Sequence, residues 1–152
     1  MALRNIRIDE DPILRKKAKP IKEVDEKIVR IVEDMIETMY DADGVGLAAP
    51  QVGLLKQIFV VDIYDETGIK VFINPEITYK EGKIDGEEGC LSVPGKVGMV
   101  VRPEKIKIKA LNIKGEAFEM EAEGFLARAI CHEADHLMGI LYTDIASEVE
   151  VI

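Results

Sequence analysis

The segment His132-Glu133-Ala134-Asp135-His136 carries the strongest chemical signal in the chain. Two histidines four residues apart on a helix project from one face and can share a metal ion. The glutamate beside the first can then handle the proton of a water activated there. The sequence holds 2 histidines, and both are in this segment. The competing reading is an ordinary pair on a surface helix. It is weakened by the apolar residues around the segment, because a buried His132, Glu133, Asp135 and His136 each need a partner and unpaired buried charge is costly.

A catalytic metal takes three protein ligands and keeps one position open. Downstream of His136 the candidates are Asp144, Glu148 and Glu150, the last two in what reads as a polar tail. Cys90 is the better third ligand. It lies in Glu88-Gly89-Cys90-Leu91-Ser92, a glycine-containing passage from loop to strand. Taken alone, a free cysteine is more often a small buried hydrophobe. Cys131 immediately precedes His132, about 100° around the helix, and reads as core. The chain's 2 cysteines do not make a disulfide scaffold. A single Cys90–Cys131 bridge is the alternative that composition leaves open.

These residues must be positioned by a modest body. The 152 residues, 47% of them hydrophobic, suit one domain spanning 1–152. The formal net charge of -9, with no Lys/Arg run, argues against nucleic-acid binding and for solubility. The N-terminus lacks a signal-like apolar stretch, and no window is long enough to span a membrane. The expectation is a cytoplasmic protein with no membrane partner.

Asp11-Pro12 reads as a helix cap followed by proline at the first helical position. A longer helix is expected from near Asp25, with Ile28, Ile31, Val32, Met35, Ile36, Met39 and Tyr40 on one core-facing stripe. Gly44-Val45-Gly46-Leu47-Ala48-Ala49-Pro50-Gln51 suits an irregular loop. Ile58 to Ile63 and Val71 to Asn74 read as strands, with a bend at Asn74-Pro75. An acidic, glycine-rich stretch then runs from Glu81 to Gly89. Lys105, Lys107 and Lys109 alternate with apolar residues, as do Glu119, Glu121 and Glu123. Joined by the turn Asn112-Ile113-Lys114-Gly115, the two stretches make a hairpin that sets a lysine row against a glutamate row. Gly124 ends the strand. Phe125 to Leu137 reads as a buried helix stopped by Gly139. Strands around one buried helix indicate the α+β class: a single domain with antiparallel or mixed sheets surrounding a central metal-binding helix.

Three segments, residues 44–51, 88–92 and 132–136, occur in the order and spacing of the signature motifs of the peptide deformylases. The chain resembles that family from about Ile6 to Tyr142, including Asp11-Pro12-Ile13-Leu14-Arg15 and Met39-Tyr40. The resemblance implies metal-dependent removal of the N-terminal formyl group from formylmethionyl peptides of newly made proteins, releasing formate. It implies Fe²⁺ held by Cys90, His132 and His136, with Zn²⁺ or another divalent ion possible. Glu133 would handle the proton, and the Gln51 amide and the Leu91 backbone N–H would stabilise the oxyanion. Gly46 and Gly89 would let a peptide backbone approach. Val45, Phe125, Ala129 and the His132 ring would form the methionine pocket, and Asp135 would orient a ligand or cap a backbone group. Two positions depart from better-known members: Val97 replaces a basic or aromatic residue, and Arg128 stands at a position apolar in some relatives. Both bear on substrate preference. The C-terminus lacks the basic helix by which some relatives dock on the ribosome, so direct docking is not expected. Two other readings compete: a general metallopeptidase with Asp144 or Glu148 as third ligand, and a non-catalytic binder of metal or peptide termini.

Overall fold

The computed structural model describes residues 2–152. A single 3-10 turn, Pro12–Arg15, begins where Asp11 accepts the Ile13 N–H. Helix α1, Glu26–Asp41, is capped by Asp25, whose carboxylate accepts the Ile28 N–H at 3.0 Å. Its stripe buries Ile28, Ile31, Val32, Met35 and Met39, while Ile36 is half-buried and Tyr40 lies at the exposed rim.

Eight strands form two antiparallel sheets. They are β1 (Gly46–Ala48), β2 (Ile58–Val61), β3 (Lys70–Glu81), β4 (Ile84–Cys90), β5 (Val93–Arg102), β6 (Lys105–Leu111), β7 (Ala117–Glu123) and β8 (Glu148–Val151). The first sheet has the order β1-β2-β3-β6-β7 and the second β4-β5-β8. Helix α2, Gly124–Leu137, follows β7 and packs against β1, β2 and β7.

Strand β2 shows why the core is built this way. Side chains alternate across a strand. Ile58 and Val60 therefore join Ile31, Val32 and Met35 of α1, whereas Phe59 and Val61 join Ala127, Ile130 and Cys131 of α2. With a helix on each face, the strand has no polar side, which explains its unbroken apolar run. Phe59 and Phe72 stack across β2 and β3 with ring centroids 4.8 Å apart. A third cluster, Leu14, Val93, Val100, Leu141 and Tyr142, underlies the β4-β5-β8 sheet. No helix is long and apolar enough to cross a membrane among the described residues.

The hairpin forms in the expected register, with Lys105, Lys107 and Lys109 opposite Glu123, Glu121 and Glu119. Five expectations need correction. Residues 44–51 are not wholly irregular: β1 pairs with β2, and Ala49–Val52 forms a 3-10 turn. Strand β3 does not stop at Asn74-Pro75. Asn74 has φ 52° and exchanges two side-chain hydrogen bonds with the Ile21 backbone, so the chain bulges and continues. The acidic, glycine-rich stretch is largely β4, because pairing along β5 outweighs the weak strand preference of Gly and Glu. The polar tail adds β8 to β5, beside Gly98, where a Cβ would stand 2.9 Å from the Glu148 carbonyl. Phe125 also differs from expectation: it opens α2 and is 53% exposed.

Candidate metal centre

Helix α2 turns its buried face, with His132, Glu133 and His136, toward the end of β4. Cys90 closes that strand, and its Sγ lies 3.3 Å from His136 Nε2. The ligand atoms of Cys90, His132 and His136 all lie within 4.8 Å of one another. Both cysteines are free. Cys90 meets the imidazoles, while Cys131, on α2 itself, is buried in the core, where burial raises its thiol pKa. The Cys90 sulfur also receives the Ser92 N–H at 3.4 Å and the Gln51 Nε2 amide at 3.5 Å. One sulfur and two imidazole nitrogens form a donor set suited to Zn²⁺ or Fe²⁺.

The His132 imidazole is held from behind, whereas His136 Nδ1 is buried without a hydrogen-bond partner. His132 Nδ1 contacts Glu88 Oε1 at 2.8 Å, which turns Nε2 toward the centre. Tyr142 stacks on the same ring, with centroids 6.0 Å apart. Arg102 grips Glu88 through Nε and Nη2 at 2.8 and 2.9 Å, and its Nη1 donates to Asp135 at 2.7 Å. Burial alone would raise the Glu88 pKa, but Arg102 and His132 overcome it and hold the carboxyl at about 2. Glu88 was not among the sequence-derived site residues. Two features could have pointed to it. It lies two residues before Cys90 on a strand, and a buried ligating histidine needs an acceptor for its other nitrogen.

Burial and the His132 charge push His136 well below its ordinary pKa. At His132 burial pushes the same way, but the Cys90 sulfur and the Glu88 carboxylate lift it to about 10. Glu133 Oε2 lies 3.9 Å from His132 Nε2, and its Oε1 is buried without a hydrogen-bond partner. Burial raises the Glu133 carboxyl to about 7 against the opposing pull of His132. Gly46 makes room for this carboxylate, since a Cβ there would stand 2.5 Å from Oε2.

A cleft of about 430 Å³ opens onto His132 and Glu133, and Val45, Gly46, Gly89, Leu91, Phe125 and Ala129 line it. Val97 lines it as well. Strands β1 and β4 are edge strands of their sheets and border this cleft. Gln51 lies behind Cys90 and is 1% exposed, not the open loop amide its residue type suggests. Its Oε1 accepts the Ala48 N–H at 2.9 Å, so Nε2 must face Cys90 and Ser92. Gly89 is not forced by sterics: a Cβ there would make only ordinary contact, 3.6 Å from the Lys96 carbonyl. The alternative third ligands lie elsewhere. Asp144 pairs with Arg15 at 2.5 Å, and Glu148 and Glu150 are exposed on β8.

The family described as Polypeptide deformylase matches residues 3–151. Over 144 residues the chain is 61% identical to the peptide deformylase of Clostridium botulinum, covering 95% of this chain and 97% of that one. It is 58% identical to peptide deformylase 1 of Clostridium perfringens, covering 95% and 98%. Among solved structures it superposes on a peptide deformylase from Legionella pneumophila with TM-score 0.92 at 47% identity, covering 95% and 86% of the two chains. The enzyme from Thermotoga maritima also gives TM-score 0.92, at 46% identity and covering 96% and 99%. Matched along nearly its whole length in sequence and in fold, the chain belongs to the polypeptide deformylase family.

Proposed function

We propose that this cleft hydrolyses the N-terminal formyl group of formylmethionyl peptides of newly made proteins and releases formate, with Cys90, His132 and His136 holding a divalent cation. The observation that carries the reading is the meeting of one sulfur and two imidazoles beside a buried carboxylate with one unpartnered oxygen, next to an apolar cleft. Fe²⁺ is the cation we assign first, and Zn²⁺ is the alternative. When bound, it would supply Lewis-acid activation of water and of the formyl carbonyl.

The chain's own residues do the rest. Glu133 takes the proton of the attacking water and returns it to the leaving amine; a carboxyl raised to about 7 can do both near neutral pH. Gln51 Nε2, oriented by the Ala48 N–H, and the Leu91 backbone N–H donate to the oxyanion formed at the formyl carbon. The substrate backbone lies extended between the edges of β1 and β4, near Gly46 and Gly89. Its methionine side chain packs against Val45, Phe125, Ala129 and the His132 ring. Such a substrate exists where translation occurs, so this reading locates the chain in the cytoplasm.

The test is formate release from a formyl-methionyl tripeptide by protein loaded with Fe²⁺ under anaerobic conditions. Formate and free amino terminus should appear in equal amounts. No release with Fe²⁺, Zn²⁺, Co²⁺ or Ni²⁺ would overturn the reading in favour of a non-catalytic binder.

A further inference from the structure

Arg128 lies one helical turn before His132, on the stripe of α2 that carries both imidazoles. It is 7% exposed, and both terminal nitrogens of its guanidinium are hydrogen-bonded. Nη1 donates to Glu88 Oε2 at 2.7 Å and to the Val100 carbonyl at 2.9 Å, and Nη2 donates to the Ile84 carbonyl at 2.8 Å. One side chain therefore ties α2 to both β4 and β5. Its path requires Gly86, where a Cβ would stand 2.6 Å from the guanidinium carbon. Arg128 also lines the cleft, so the sequence expectation that it bears on substrate preference stands beside this contact set.

Glu88 is the point of convergence. Its Oε2 takes Arg102 Nε and Arg128 Nη1, while its Oε1 takes Arg102 Nη2 and contacts His132 Nδ1. Without Arg128, Glu88 would keep its two-point pair with Arg102 but lose its second buried donor on Oε2 and the tie from that oxygen to α2. With it, two guanidiniums face the carboxylates of Glu88 and Asp135. The His132 ring thus gains an anionic acceptor, while these four side chains add no net charge beside the ligands.

We propose that Arg128 is a positioning residue of the metal centre: it locks Glu88 so that His132 presents Nε2 to the cation, and Gly86 is the recess that admits it. The inference rests on His132 being a ligand, as read above. The test is Co²⁺ affinity, by competition with a chromophoric chelator, together with the visible spectrum of the bound Co²⁺. Each variant is first shown to be folded by circular dichroism.

Arg128→Met should bind about 10- to 100-fold more weakly, the usual range for loss of a group that orients a ligand, and should shift the Co²⁺ bands. Arg128→Lys should recover part of the loss. Gly86→Ala, which displaces the guanidinium without removing it, should weaken binding alone and add nothing in the Arg128→Met background. A role confined to fold stability would lower the melting temperature and leave affinity and spectrum of the folded protein unchanged. That result for Arg128→Met overturns the proposal. Should Arg128→Met fail to fold, the same result for Gly86→Ala overturns it. His132→Ala is measured beside them. If it alone loses Co²⁺, only the role of Arg128 fails; if it binds like the wild type, the ligand assignment fails first.

Discussion

Glu133 and Gln51 are both buried, yet their side chains are held in opposite ways. Glu133 Oε1 has no partner, so that oxygen is free to exchange a proton. Gln51 is pinned at both ends of its amide. Glu133→Gln should keep the cation and lose about 10²–10⁴ in kcat, measured by formate release with metal content determined on the same sample. Full activity in that variant would remove Glu133 from the chemistry. Gln51→Ala should cost about 10²–10³ in kcat with a smaller change in KM. An unchanged kcat would show that the amide serves only the Ala48 turn. The histidine pair and Cys90 were legible in the sequence because their residue types are scarce and their spacing is helical. Glu88 was not: among 29 acidic residues nothing marks one as the acceptor for an imidazole until the fold brings β4 against α2.

The elements place these side chains through a few close approaches. The tightest at the centre is Gly46 on β1, where a methyl group would overlap the Glu133 carboxylate. Gly46→Ala should therefore lower kcat while circular dichroism and sheet content stay as in the wild type. Equal rates would mean that Glu133 can shift without cost. Long periodic elements such as α1 and the β6–β7 hairpin could be read from helical stripe or alternation, because one face is apolar and the other is not, and α2 from apolar residues around much of its circumference. Strands β1 and β8 could not. Each is short and lies at an edge, and each is specified by the strand it pairs with, not by its own pattern. Strand β3 was cut short in the reading because Asn74-Pro75 does break the ladder locally. Only its pairing with β6, from Glu76 opposite Lys109 to Glu81 opposite Lys105, shows that the strand resumes.

Across the whole molecule, α1 is joined to the segment after β2 by Tyr40, whose hydroxyl donates to Asp62 at 2.5 Å. That bond, with some burial, raises the Tyr40 pKa from 10.0 to about 12. A group whose pKa is higher in the folded state stabilises fully below its unfolded value, and the contribution fades as pH rises through the folded one. The melting temperature of the wild type should therefore exceed that of Tyr40→Phe below pH 10, and the gap should shrink between pH 10 and about 12. A gap independent of pH would show that the bond is not the source. The same global packing brings a sulfur from the β4-β5-β8 sheet to two imidazoles on α2, and the functional account depends on that meeting. Metal affinity of Cys90→Ser against the wild type, in anaerobically purified protein, tests it most directly. A large loss of bound metal, with both proteins equally folded, is the predicted result. Undiminished affinity would contradict the account and move the third ligand to another residue.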